Sequence, residues 1–180
     1  TDEFAYILEP VGRYHRVITT HIRGEGDSMV QSVREVIEIA RRVGCALEIS
    51  HFKSGGKKKG GKNTHPAIAD IEAARAEGMD VTVDFYPYEG GSTALTTMLP
   101  PVFVAGNMTR ALEKLGTPEG VEEFRRTSSV LYDDWDNFCI TLGWDRIIIS
   151  GVVRPENEKF LGMRVTEAAE KFGFEDAAAL

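Results

Sequence analysis

Two histidines follow apolar, β-branched runs in this 180-residue chain, His21 in RVITTHIR and His51 in ALEISHFK. Their separation equals one strand-to-strand repeat, and each is trailed two positions later by a cation, Arg23 and Lys53. An imidazole nitrogen suits zinc or another borderline transition metal, and two at matching ends of neighbouring strands can share one centre. Cations beside such a centre suit an anionic substrate, typically a carboxylate. Taken singly, either histidine reads as an ordinary strand-end residue bonded to a nearby loop; the paired placement favours ligands. For Arg23 the competing expectation is a salt bridge to Glu25, Asp84 or Glu89, so Lys53 is the better substrate candidate. His15 and His65 fit poorly as ligands, because one precedes a strand at its opposite end and the other opens a helix beside Pro66.

The elements that must position these residues follow from periodicity. RVITTH (16–21), ALEISHF (46–52) and MDVTVDFY (79–86) read as strands. Between them lie amphipathic stretches at 28–44 and 65–78. In the first, Val30, Val33, Val36, Ile37 and Ala40 share a helical face, Ser28 or Asp27 can cap the start, and Gly44 can end it. Strands that recur at intervals of about 30 residues with a helix between them predict βαβ units and a parallel sheet. The rhythm breaks in EGGSTALTTMLPP, with TPEGVEEFRR (117–126) the best helix beyond it. It resumes with a fourth expected strand, WDRIIISG (144–151), and a helix around VTEAAEKFG (165–173). The class is therefore α/β. Four such strands make half of a (β/α)8 TIM-type barrel, and an open doubly wound sheet is the alternative. In both, the carboxyl ends of the strands face the ligand, which makes 84–88 candidates beside the two histidines. The expected organisation is βα units of a partial barrel over 1–90, a lid-like insertion over 91–143, and a further βα unit, cut short, over 144–180.

Composition excludes several classes. A net charge of −7 argues against a general nucleic-acid binder, which needs a basic face. No apolar run approaches the ~20 residues that span a bilayer. Cys45 and Cys139 form no CxxC, so neither a disulfide framework nor a thiolate metal site is indicated, and the expected compartment is the cytoplasm. GKKKGGK (56–62) matches half of a phosphate-binding P-loop, but Asn63 stands where the Mg²⁺-binding Ser or Thr belongs. A solvated basic loop is the simpler reading, with a P-loop-like nucleotide module as an alternative function.

Taken together, THIRGEGDS, EISHFK and DFYPYEGGSTALTTMLPP resemble, in order and spacing, the N-acyl-D-amino-acid deacylase (D-aminoacylase) family of the metal-dependent amidohydrolase superfamily. The resemblance extends across essentially the whole chain. It implies a (β/α)8 barrel of which this chain covers roughly strands five to seven with their helices, plus a long insertion. It implies zinc held by His21 and His51, which match the histidines ending strands five and six. It assigns Lys53 and Tyr86 to the substrate's α-carboxylate, with Ser92 close to the same pocket. Packing at a barrel rim is the alternative for Tyr86, a turn hydroxyl for Ser92, and local core for the apolar residues of the insertion. The family's first-strand HxH pair, its ligand from an early strand and its eighth-strand catalytic aspartate have no counterpart here. No catalytic residue is therefore expected in this chain; the aspartate is expected beyond residue 180, and the chain is expected to be an inactive fragment by itself. The implied reaction is attack of metal-activated water on the amide of an N-acyl-D-amino acid. A cyclic amidase is the rival within the superfamily. Self-association through exposed barrel edges is the non-catalytic alternative.

Overall fold

A helix that the sequence pattern did not suggest, α1 (Asp2–Arg13), precedes the first strand and contains Pro10. Pro normally breaks a helix interior, which is why this stretch does not read as one. α1 packs against α2 (Met29–Val43) where Gly12 meets Val43; a Cβ on Gly12 would lie 1.9 Å from the Val43 carbonyl oxygen. The strands β1 (Val17–Thr20), β2 (Ala46–Ile49) and β3 (Val81–Val83) form a parallel sheet in the order β1-β2-β3. α2 connects β1 to β2, and α3 (Thr64–Ala76) connects β2 to β3.

The helix faces expected from periodicity are those that the sheet buries. Val33, Ile37 and Ala40 of α2 and Ala67, Ile71 and Ala74 of α3 pack with Leu47, Ile49 and Val81 of the sheet in one core, with Val30 and Val36 at its margin. Gly44 ends α2 in the left-handed conformation, its N–H reaching the Ala40 carbonyl. Ser28 takes the N-cap position without a side-chain cap bond; instead the Ser32 hydroxyl donates to the Ser28 carbonyl and accepts from the Gly24 N–H.

This computed structural model describes residues 2–55, 61–132 and 135–180. The basic run at 56–60, and with it most of the P-loop-like match, lies outside them. The described chain falls into two units, Thr1–Gly91 with Asp133–Asp136 and Ser92–Tyr132 with Asn137–Leu180. The second contains α4 (Pro101–Val104), α5 (Met108–Leu115), α6 (Pro118–Ser128) and α7 (Val165–Phe172). The Thr117 hydroxyl caps α6 by accepting from the Gly120 N–H at 3.1 Å. The apolar side chains of the Gly/Pro-rich region, among them Met98, Leu99, Phe103 and Phe124, pack with Ile147, Ile149, Phe160 and Ala168 in this unit's own core.

The fourth expected strand is absent from the described residues. Trp144–Arg146 is a 3-10 turn, and the residues after it pair antiparallel with 162–165 through the Ile148–Arg164 bridge and the Val165 N–H to Ile147 carbonyl bond. The β-branched run predicts extended backbone correctly, but a partner close by in the chain, centred on Arg164, takes its hydrogen bonds in an antiparallel sense. No helix among the described residues is long and apolar enough to cross a membrane.

Candidate metal and carboxylate site

His21 directly follows β1, His51 lies two residues past β2, and Asp84 directly follows β3. The ladder pairs Val17 with Ala46 and Thr20 with Ile49, a register one step short of the spacing between the histidines. Continued unchanged, it would set Ser50 beside His21 and turn His51 to the opposite face. The backbone corrects this overshoot. His51 adopts a left-handed conformation, φ 42°, which a non-glycine residue holds only under outside constraint. The constraint is Asp84, whose Oδ1 accepts the His51 backbone N–H at 2.5 Å. That bond chiefly, with the Glu48 carboxyl next, holds the Asp84 carboxyl below its usual pKa.

The result is that His21 Nδ1 and His51 Nε2 lie 2.9 Å apart, with the rings edge to face. A third donor, which the sequence reading passed over as a salt-bridge partner for Arg23, completes the cluster. Glu25 Oε1 lies 2.9 Å from His51 Nδ1 and 3.7 Å from His21 Nδ1. Its side chain is 10% exposed, against 64% for His21. Glu25 is held by its own backbone: Asp136 accepts the N–H groups of Glu25 and Gly26 at 2.6 and 2.8 Å, and the Glu25 carbonyl accepts from Gly55 at 2.7 Å. Two successive N–H groups converging on one carboxylate form a small anion nest. Gly26 makes room for it, since a Cβ there would meet Asp136 Oδ1 at 2.6 Å. The readable signal for Glu25 was the acid flanked by glycines, one helical turn's spacing after a candidate ligand.

Lys53 lies in the same cluster. Its Nζ is 2.6 Å from Glu25 Oε1, 3.1 Å from His51 Nδ1 and 3.2 Å from the His51 carbonyl. The ammonium can only donate, and Glu25 Oε1 and the His51 carbonyl are its oxygen acceptors. Tyr86 is half-buried, with the Lys53 ammonium 5.6 Å from its ring centroid. Arg23 is paired elsewhere, with Glu35 of α2 at 2.5 Å, rather than with Glu25, Asp84 or Glu89. Ser92 is exposed and is the first residue of the second unit.

One donor atom each from His21, Glu25 and His51 lies within 4.8 Å of the other two. Two imidazole nitrogens and one carboxylate oxygen is the donor set of many catalytic zinc sites, which keep a fourth position open. The residues present therefore fit such a metal.

No protein-family model matches the chain. It is 43% identical over 94 residues to N-acyl-D-glutamate deacylase of Alcaligenes xylosoxydans xylosoxydans, covering 52% of this chain and 18% of that protein. It is 35% identical over 95 residues to D-aminoacylase of the same organism, covering 53% and 19%. Among solved structures, N-acyl-D-glutamate deacylase from Bordetella bronchiseptica, complexed with zinc and a phosphonate inhibitor, superposes with a TM-score of 0.66 at 24% identity. That match covers 98% of this chain and 28% of the other. A structure addressing the binuclear metal centre of D-aminoacylase matches with a TM-score of 0.50 at 36% identity, over 58% of this chain and 21% of that one. The chain thus spans about a fifth of the length of the curated relatives it matches. The fold is thus that of part of a deacylase structure, and the sequence likeness points to the same group of proteins. Over about half of its length the chain is similar in sequence to N-acyl-D-amino-acid deacylases, D-aminoacylase among them.

Proposed function

We propose that this chain contributes metal-binding and substrate-binding residues to hydrolysis of the amide bond of N-acyl-D-amino acids, as part of a longer zinc enzyme. The observation that carries this is the convergence of His21, Glu25 and His51 at the strand ends with Lys53 against them. Bound there, zinc supplies a Lewis acid for the amide carbonyl and an activated water at neutral pH. The rest of the task falls to side chains. Lys53 offers a positive charge to the substrate's α-carboxylate, and the phenol of Tyr86, whose ring centroid lies 5.6 Å from that ammonium, is the donor suited to the second carboxylate oxygen. Arg23 and Ser92 are the outer members of this set. Arg23 takes part by releasing Glu35, and Ser92 is included on the family resemblance of the Gly-rich segment. The organisation that goes with this reading is a partial barrel with 91–143 as the element shaping the side-chain pocket.

The identity to N-acyl-D-glutamate deacylase makes N-acetyl-D-glutamate the first substrate to assay, followed by N-acetyl derivatives of other D-amino acids. In the protein carrying this segment, His51→Ala is expected to abolish zinc-dependent amidase turnover, and Lys53→Ala to raise KM for the free acid more than for its methyl ester. Full turnover by the His51 variant would sink the proposal. We further propose a reducing cytoplasm as the compartment, in keeping with the free thiols Cys45 and Cys139, which cell fractionation tests. Self-association through the open edges of the sheet is part of the same reading.

A further inference from the structure

We propose that Lys53 is an internal cation that competes with the metal, so that metal binding and exposure of the substrate-binding lysine are one event. This rests on the reading that His21 and His51 hold the metal. Lys53 Nζ, Glu25 Oε1 and His51 Nδ1 form a triangle with sides of 2.6, 2.9 and 3.1 Å. The ammonium therefore lies against both a carboxylate oxygen and a ring nitrogen of two residues that could hold a metal. Glu25 and His51 are two of the three residues whose donor atoms could hold a divalent ion. Zinc bonds them at about 2.0–2.2 Å, which leaves no room for an ammonium on the same lone pairs. Retaining Lys53 in place would also set a third positive charge beside the two of the ion, within a few ångströms and shielded from water on the Glu25 side.

Lys53 therefore leaves Glu25 when the metal arrives. Its four-carbon stem lies beside Tyr86 and Gly91, with Cε 3.9 Å from the position of a Gly91 Cβ, so the ammonium can swing towards the Tyr86 hydroxyl without rebuilding the strand end. There it awaits a carboxylate. Without metal the lysine is neutralised by Glu25 and has no unspent charge for substrate, which imposes an order: metal first, carboxylate second. Reciprocity of linked equilibria then requires a substrate carboxylate to tighten metal binding.

The test is zinc affinity of the full 180-residue chain, measured by competition with a chromogenic chelator, with Zn²⁺ alone as the probe. Lys53→Met is expected to raise affinity roughly tenfold or more, and Lys53→Arg, which keeps the charge, to leave it near the parent value. Glu25→Gln is expected to lower it by about 10–100-fold. N-acetyl-D-glutamate added at saturation is expected to tighten zinc binding in the parent and not in Lys53→Met. A gain in affinity does not arise from misfolding, so the methionine variant decides the matter even if Glu25→Gln folds poorly. If His51→Ala abolishes binding while Lys53→Met binds no tighter than the parent, the competition is refuted and the metal site stands. If His21→Ala and His51→Ala both bind zinc as the parent does, the metal reading itself fails.

Discussion

At the scale of single residues, the histidine pair depends on the backbone bond of a neighbouring carboxylate. Asp84 holds the His51 N–H at 2.5 Å and so maintains a left-handed backbone at a residue with a Cβ. Removing it lets His51 relax to an extended conformation, which points the imidazole away from His21. Asp84→Ala is therefore expected to weaken zinc binding by about 10–100-fold while leaving the far-ultraviolet circular dichroism unchanged. Parent-like affinity would show that the imidazole holds its place unaided. What residue type and position indicated at this scale is placement: His21, His51, Lys53 and Tyr86 follow the ends of three neighbouring strands, and their side chains lie near one another. For Glu25 the flanking glycines were the one signal, because what aims it is a pair of backbone bonds to Asp136, far along the chain. A spacing argument sees side chains along one strand and has no access to a loop pinned from outside.

At the scale of elements, the second unit owes one of its tethers to a charge. Arg125 of α6 donates to Asp176 at 2.6 Å, and the other oxygen of Asp176 accepts the N–H groups of Ala178 and Ala179 at 3.0 and 2.9 Å. The guanidinium chiefly, with these backbone donors, holds the Asp176 carboxyl below its ordinary value of 3.8. A folded-state pKa below the unfolded one stabilises at pH above the unfolded value, and that stabilisation is lost as pH falls through the folded value. Protection factors at Ala178 and Ala179 are thus expected to be constant above about pH 5 and to collapse below pH 3.8. Protection that persists at pH 2 would show that the turn is held by packing alone. Elements also show where periodicity fails. The first three strands were recoverable because a helix long enough to show a face separates each from the next. Residues 147–149 carry the same β-branched signal, but nothing in three isoleucines distinguishes a parallel barrel strand from one arm of a short antiparallel pairing.

At the scale of the whole molecule, the sheet has three strands, and β1 and β3 each pair on one side only among the described residues. Val17, Val83 and Phe85, at or next to those edges, are 50%, 40% and 72% exposed. Open edges with apolar side chains favour strand addition by another chain, while a net charge of −7 opposes it by mutual repulsion. Raising the salt concentration screens the repulsion and leaves the edges as they are. Sedimentation velocity of the chain is accordingly expected to show a shift from monomer towards dimer between low and high salt. A monodisperse monomer at every salt concentration would exclude pairing through these edges.

The one-step mismatch between the strand register and the histidine spacing has an evolutionary reading as well. His21 meets His51 through a backbone turn made after the sheet has ended, so the count of residues between them is not what brings them together. The crossover through α2 can gain or lose a residue in its loops without moving either imidazole. The short link that leads from Ile49 to His51 has no such freedom. Among distant relatives, then, chain length should drift ahead of β2 and be fixed behind it, and an alignment that enforces equal spacing between the histidines would misplace one of them.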